Sequence, residues 1–241
     1  MNNPILIIIA KEPQIGTTKT RLNPPLKLSE AAELFEALLL DTIDLTSSVN
    51  GIDLAVAVTP PDSIGYFKRK TPEGTILIPV TCVEIGDCLN QVFERLFQLG
   101  YRQVIAFNSD GPSLPAEYIH RAITLLADHD VVFGPSEDGG YYLVGLKTLY
   151  PELFSDIEWS TPLVLEQSLA KAGQENLRVS ILPEWYDVDT EADLIRLLQD
   201  IRTYPANQLK HTRQFFEQLP VELGSILADL DSQSDGHKRN D

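Results

Sequence analysis

Read for its apolar positions, the chain alternates short unbroken runs with longer stretches in which apolar residues recur every three or four places. The first run, "ILIIIA" (5–10), is apolar throughout, as a strand buried on both faces of a parallel sheet should be. "IDLAVAV" (52–58), "TILIPV" (75–80), "QVIAF" (103–107), "DVVFG" (130–134), "YYLVGL" (141–146) and "RVSIL" (178–182) predict further strands. Helices are expected between them. Ser29 caps one with Ala31, Phe35, Leu38, Leu39 and Thr42 at helical spacing. Asp87 caps another, carrying Leu89, Val92, Phe93 and Leu96 and ended by Gly100. Pro115 opens one to about Ala127, Thr161-Pro162 one to about Ala172, and Thr190 caps one to about Ile201.

Strands alternating with helices of this length predict an α/β fold. The expected architecture is a Rossmann-like three-layer α/β/α sandwich on a mostly parallel central sheet. Such sheets bind ligands beyond the carboxyl ends of their strands, so the polar loops after strands are where chemistry is sought. Residues 1–202 read as one domain and 203–230 as a C-terminal helical extension. In that extension "TRQFFEQLPVELGSILADL" is amphipathic and split by Pro220, able to cover the core, cap the site or pair with a second copy in a homodimer. Residues 231–241, "DSQSDGHKRND", have no apolar side chain and read as a disordered tail.

Composition narrows the function. Of 241 residues 43% are hydrophobic, enough for a packed core without metal or disulfide staples. With 35 acids against 19 bases the net charge is −16, which argues against a nucleic-acid partner. No run approaches the ~20 apolar residues of a membrane helix, and no basic region precedes an apolar one at the start. Cys82 and Cys88 lack Cys-x-x-Cys spacing and are expected to be ordinary thiols of a cytoplasmic protein.

Against this acidic background three cations, Lys11, Lys19 and Arg21, crowd the loop after the first strand, with Gly16 between them. "GTTKT" fails the P-loop pattern, and no Gly-x-Gly-x-x-Gly is present. A loop of backbone amides, an arginine fork and lysine point charges suits a pyrophosphate or triphosphate; the bland alternative is a solvated loop. "FNSDGPSL" (107–114) places Asp110 at the end of a strand, where a hard cation could take its carboxylate, or where the Asp-Gly pair simply turns the chain. In "WYDVDT" (185–190) Asp187 and Asp189 point the same way if the segment is extended, and Asp189 is a candidate second metal ligand. In "SEDGGYYLVGL" (136–146), Glu137 and Asp138 precede Gly139 and Gly140. This reads as an acceptor or metal site, or as a hairpin turn. Of Tyr141 and Tyr142, one is expected in the core and one beside a cleft. The histidines show no metal spacing and are expected on the surface, and no serine-hydrolase elbow is present.

Taken together and in this order, "AKEPQIGTTKTRL", "SDGPSL", "EDGGYYLVGL" and "YDVDTEADL" resemble the bacterial glycosyltransferase-like family that is similar to the phospholactate guanylyltransferases, within the nucleotide-diphospho-sugar transferase superfamily. The resemblance spans residues 4–201. It implies a GT-A fold and a transferase working with Mg2+ or Mn2+. By its implication Lys11, Gly16, Lys19 and Arg21 wrap the nucleotide's phosphates and Ala10 lies near the base. Asp110 and Asp189 hold the metal, Glu137, Asp138, Gly139 and Gly140 meet the acceptor, and Lys19, Arg21 and Asp110 are the catalytic set. The first loop departs from the Gly-rich form of related nucleotidyltransferases, having one glycine and a proline. The ligand is therefore left open between a nucleoside triphosphate and a nucleotide sugar, each with a small-molecule acceptor. The leading expectation is nucleotidyl transfer to a small phosphorylated acceptor. The rivals are glycosyl transfer from a nucleotide sugar and a non-catalytic nucleotide-binding protein.

Overall fold

The computed structural model describes residues 3–219. The described residues fall into two compact units: those up to Glu12 with Thr42–Asp187, and Pro13–Asp41 with those from Val188 on.

The first unit holds a seven-stranded sheet in the order β3-β2-β1-β4-β6-β5-β7. Its strands are β1 (Ile5–Lys11), β2 (Asp53–Thr59), β3 (Ile76–Pro79), β4 (Val104–Phe107), β5 (Val131–Pro135), β6 (Tyr141–Leu146) and β7 (Val179–Ile181). The sheet is mostly parallel: β6 alone runs against its neighbours β4 and β5. The unbroken apolar run of β1 has its expected cause, since Ile5, Leu6, Ile7 and Ile8 are each fully buried. One face, carrying Ile5, Ile7, Ala55, Ala57, Val104 and Phe133, is buried with Leu89, Val92, Phe93 and Leu96 of α3 (Ile85–Gln98). The unit also contains α2 (Ile64–Lys70), α4 (Ala116–Leu125) and α5 (Val164–Gln174).

β1 lies between β2 and β4: the chain passes from β1 to β2 and β3 on one side and crosses from β3 to β4 on the other, the reversal of strand order that opens a crevice at the carboxyl ends. The register pairs Ile8 with Phe107 at the end of β4, while β1 continues to Lys11. The turn after β4 therefore begins partway along β1.

In the second unit, α1 (Leu28–Ser47) contributes its residues up to Asp41, and α6 (Glu191–Thr203) and α7 (Lys210–Gln218) follow Val188. The described part of the 203–230 extension contains α7; its remainder and the tail 231–241 lie outside the described residues. Asp41 is 3% exposed and accepts hydrogen bonds from His211 N (3.0 Å), Thr212 N (2.8 Å) and Thr212 Oγ1 (2.6 Å). The residue before α7, Leu209, has no side-chain cap of its own, and Asp41 takes the orphan amides in its place.

Several expectations need correction. α1 starts at Leu28, so Ser29 is inside the helix; the end is closed by Glu30, whose carboxylate accepts Lys27 N–H at 2.8 Å. The residue at the N-cap position of α3 is Glu84, extended and with no side-chain cap bond, and Asp87 falls in the first turn, where its charge suits the helix dipole. Cys82 and Cys88 are not separate thiols: the loop between them folds back to bring their Cα atoms within 5.4 Å, and they form a disulfide. That pairing removes the thiol-based argument for a reducing compartment. α2 went unforeseen because only Phe67 of its seven residues is buried, leaving no apolar stripe to read. Among the described residues no helix is long and apolar enough to cross a membrane.

Candidate active site

In the first unit the turn after β4 is tied to the segment leading out of the sheet beyond β7. Trp185 extends the edge of β5, its N–H donating to Pro135 O at 3.0 Å and its carbonyl accepting from Glu137 N at 3.0 Å. Its indole Nε1 donates to Ser113 Oγ at 3.3 Å. Two residues on, the Asp187 carboxylate accepts from Asn108 Nδ2 and, at 2.9 Å, from Ser136 Oγ. Three segments distant in sequence are thus knotted around Asp187 at the carboxyl end of the sheet. Asn108 N–H also donates to Tyr142 O at 3.0 Å, carrying the β4–β6 ladder one step past the strand. Asp110, half-buried, follows directly and accepts from Ser109 Oγ at 3.0 Å.

Ala10, 3% exposed, is at the carboxyl end of β1, and Lys11 beside it is exposed. The "EDGG" segment is the β5–β6 hairpin turn. Gly139 N–H donates to Ser136 O at 3.0 Å, and the Asp138 carboxylate accepts Gly140 N–H at 2.9 Å, so this acid shapes the turn. Gly139 has φ +88, and a β-carbon there would come within 2.3 Å of Pro162 O. Its own carbonyl accepts Leu165 N–H at 2.9 Å, holding the start of α5 to the turn. Glu137 and Asp138 are exposed. Tyr142 is the core member of its pair, 1% exposed, donating to Pro183 O at 3.0 Å; burial holds its hydroxyl well above the ordinary phenol range. Tyr141 packs edge-on to Trp159, and burial raises it likewise.

In the second unit the loop after β1 closes on Thr18, a buried hydroxyl that accepts from Gln14 N at 2.8 Å and donates to Gln14 O at 2.7 Å. Gly16 supplies the positive φ (+82) that this closure requires. Lys19 follows in a left-handed conformation, φ 50, ψ 36. Its ammonium lies 2.7 Å from Asp189 Oδ1 and 5.9 Å from the centroid of Phe35. The Lys19 side chain is 5% exposed and that of Asp189 37%. Asp189 is fixed by the start of α6. The Asp193 carboxylate accepts the backbone N–H groups of Asp189 (3.1 Å) and Thr190 (2.7 Å), and Thr190 completes a capping box. Arg21 is exposed.

The structure therefore joins Lys19 to Asp189, and sets Asp110 beside the Asp187 knot. The boundary between units falls between Asp187 and Val188, so the two acids of "DVDT" serve different units. Sequence reasoning did not single out Asn108 and Ser136, nor the anchoring part of Asp187. The only signal was an amide directly after a strand and acids at alternate positions.

Its likeness to known proteins makes this chain an enzyme of the transferase class, with the α/β architecture of nucleotide-diphospho-sugar transferases. The family described as "Uncharacterized protein conserved in bacteria (DUF2064)" matches residues 42–161. The chain is 26% identical over 208 residues to 2-phospho-L-lactate guanylyltransferase of Methanocaldococcus jannaschii, covering 85% of this chain and 87% of that one. Among solved structures it is similar to one from Desulfovibrio desulfuricans G20, assigned provisionally as a nucleotide-diphospho-sugar transferase. The TM-score is 0.80 at 27% identity, over 89% of this chain and 99% of the other. The manganese complex of Rv0371C from Mycobacterium tuberculosis H37Rv shares the fold at a TM-score of 0.52 and 14% identity, over 82% of this chain and 98% of that one.

Proposed function

We propose that this chain is a divalent-metal-dependent nucleotidyltransferase. A phosphate oxygen of a small phosphorylated acid attacks the α-phosphorus of a nucleoside triphosphate. The bond from that phosphorus to the bridging oxygen breaks, and pyrophosphate leaves with the electron pair. The observation that carries the reading is the Lys19–Asp189 contact of 2.7 Å, which puts a phosphate-seeking cation and a metal-seeking carboxylate in one place. The likeness to a guanylyltransferase over 85% of the chain supports it.

Asp110 and Asp189 would hold the metal. Both offer hard carboxylate oxygens, which fit Mg2+ or Mn2+. When bound, the ion supplies neutralisation of phosphate charge. Lys11, Lys19 and Arg21 bind and orient the triphosphate, with Lys19 and Arg21 opposing the charge that builds on the leaving pyrophosphate. Ala10 borders the base, and Gly16 lets the loop backbone approach the phosphates. The turn of Glu137, Asp138, Gly139 and Gly140 borders the acceptor. An ionised acceptor phosphate is already a nucleophile, so no general base is needed.

Glycosyl transfer from a nucleotide sugar is the second reading, favoured by the likeness to the D. desulfuricans structure. One panel separates the two. The four triphosphates and common nucleotide sugars, with Mg2+ or Mn2+ or with chelator, are tested by thermal shift on wild type and Asp110→Ala. Pyrophosphate release is then assayed with phosphorylated hydroxy acids, GTP and 2-phospho-L-lactate first. A metal-dependent shift with one triphosphate, lost in the variant, together with pyrophosphate release is the expected result. A shift confined to a nucleotide sugar favours glycosyl transfer, and equal triphosphate binding in chelator overturns the metal assignment.

A further inference from the structure

We infer that in the free protein Lys19 fills the cation position at Asp189, so that the divalent metal can enter there only when a nucleotide draws Lys19 away. The inference rests on the nucleotidyltransferase reading and adds to it an obligatory coupling between metal and nucleotide.

Four observations carry it. The ammonium lies 2.7 Å from Asp189 Oδ1, the closeness of a charge-assisted hydrogen bond. The lysine side chain is only 5% exposed, so its charge has left bulk water and depends on anionic and polar neighbours. The backbone of Asp189 is pinned through Asp193 to the capping box of α6, which fixes the point from which its carboxylate reaches the lysine. Finally, Lys19 holds a left-handed φ of 50 that a β-carbon disfavours, with the Thr18 closure on one side and the Leu22 N–H to Lys19 O bond of 3.0 Å on the other. The loop aims this lysine at this carboxylate, against its local preference.

A divalent ion and an ammonium on one carboxylate repel each other, and the buried lysine has little water on its own side to screen that repulsion. A metal arriving alone must either sit beside the ammonium or displace it from Asp189. A triphosphate removes the conflict: its oxygens give Lys19 a replacement partner, and Asp189 is released. Metal and nucleotide then favour each other by a common factor, because coupling between binding sites is reciprocal. Lys11, exposed at the end of β1, serves as the control for charge alone.

The test uses Mn2+ alone as probe, its bound fraction read by electron paramagnetic resonance on the full chain without nucleotide. Wild type is compared with Lys19→Met, Lys19→Gln, Lys19→Arg and Lys11→Met, folding being checked by circular dichroism. The expected result is a Mn2+ affinity raised about tenfold in both neutral Lys19 variants, a size typical of coupled sites. Lys19→Arg should stay near wild type and Lys11→Met should change little. Asp189→Asn placed on Lys19→Met should abolish the gain. Equal Mn2+ affinity in wild type and both neutral variants overturns the inference and leaves the nucleotidyltransferase reading standing. An equal gain in Lys11→Met also overturns it, as a general charge effect. No Mn2+ binding by any form, even with triphosphate and after correction for Mn2+ held by free nucleotide, overturns the metal-dependent reading and this inference with it.

Discussion

Asp41 and Thr212, both buried, meet through two hydrogen bonds, 2.8 Å from the backbone amide and 2.6 Å from the hydroxyl. A carboxylate from the middle of α1 thus does for α7 what a local cap does for other helices. Asp41→Ala removes three acceptor contacts at once and leaves the first turn of α7 with orphan amides. The expected loss is about 2–4 kcal/mol, a cap and a charged buried hydrogen bond together. Urea denaturation measures it, and hydrogen exchange should show α7 amides losing protection first.

The knot at Asp187 is expected to be cooperative. Asn108 Oδ1 is buried without a partner among the described residues, while the amide's other end donates to Asp187. Asp187→Ala leaves that amide with neither bond, for a cost of about 1–3 kcal/mol. A double-mutant cycle with Asn108→Ala should return a coupling of about 1 kcal/mol. Additive losses would show that the two side chains do not act together.

At the hairpin turn the two glycines should answer differently. Gly139→Ala places a methyl group against the Pro162 backbone and forces a left-handed alanine, for about 1–3 kcal/mol. Gly140→Ala meets only the flexible Asp138 carboxylate, at 3.2 Å, and should lower the melting temperature far less.

Arg21 is exposed, so Arg21→Met should leave stability within about 0.5 kcal/mol of wild type. If Arg21 opposes charge on the leaving pyrophosphate, the same variant lowers the rate of its release by about 100-fold. Urea melts and a pyrophosphate assay on one preparation check both halves.

The Asp130–Arg178 pair gives a pH signature. Arg178 bonds the carboxylate through Nη2 (3.0 Å), Nε (3.1 Å) and its backbone N–H (3.0 Å). Side-chain and backbone hydrogen bonds from Arg178 hold Asp130 at about 2, against an ordinary 3.8. The folded value is depressed, so the contribution is fully present above the unfolded value and is lost as pH falls from about 4 to about 2. Both groups are partly exposed, so the effect is modest and screened by salt. Arg178→Gln should flatten stability against pH in that window, read from urea midpoints.

The strands were legible because their burial is local information: Val104 through Phe107 are all buried and all apolar. The Thr190 cap was legible too, since both halves of its box lie within four residues. Helix starts that depend on backbone angle were less so, as Glu84 taking the place of Asp87 shows. The site's contacts were hidden by distance. Lys19 and Asp189 are 170 positions apart, and Asn108 and Asp187 are 79 apart. Nothing in "WYDVDT" distinguishes the acid that anchors a turn from the acid that meets a lysine. Only the path of the backbone past β7 sorts them.

The ring closed by Cys82 and Cys88 accounts for both cysteines of the chain. Natively folded and oxidised, the protein offers nothing to maleimide or iodoacetamide. A single cysteine introduced on the loop after β1, or on the turn after β4, would then carry a fluorophore or spin label with no native thiol competing, and handling without reductant becomes part of keeping that background silent.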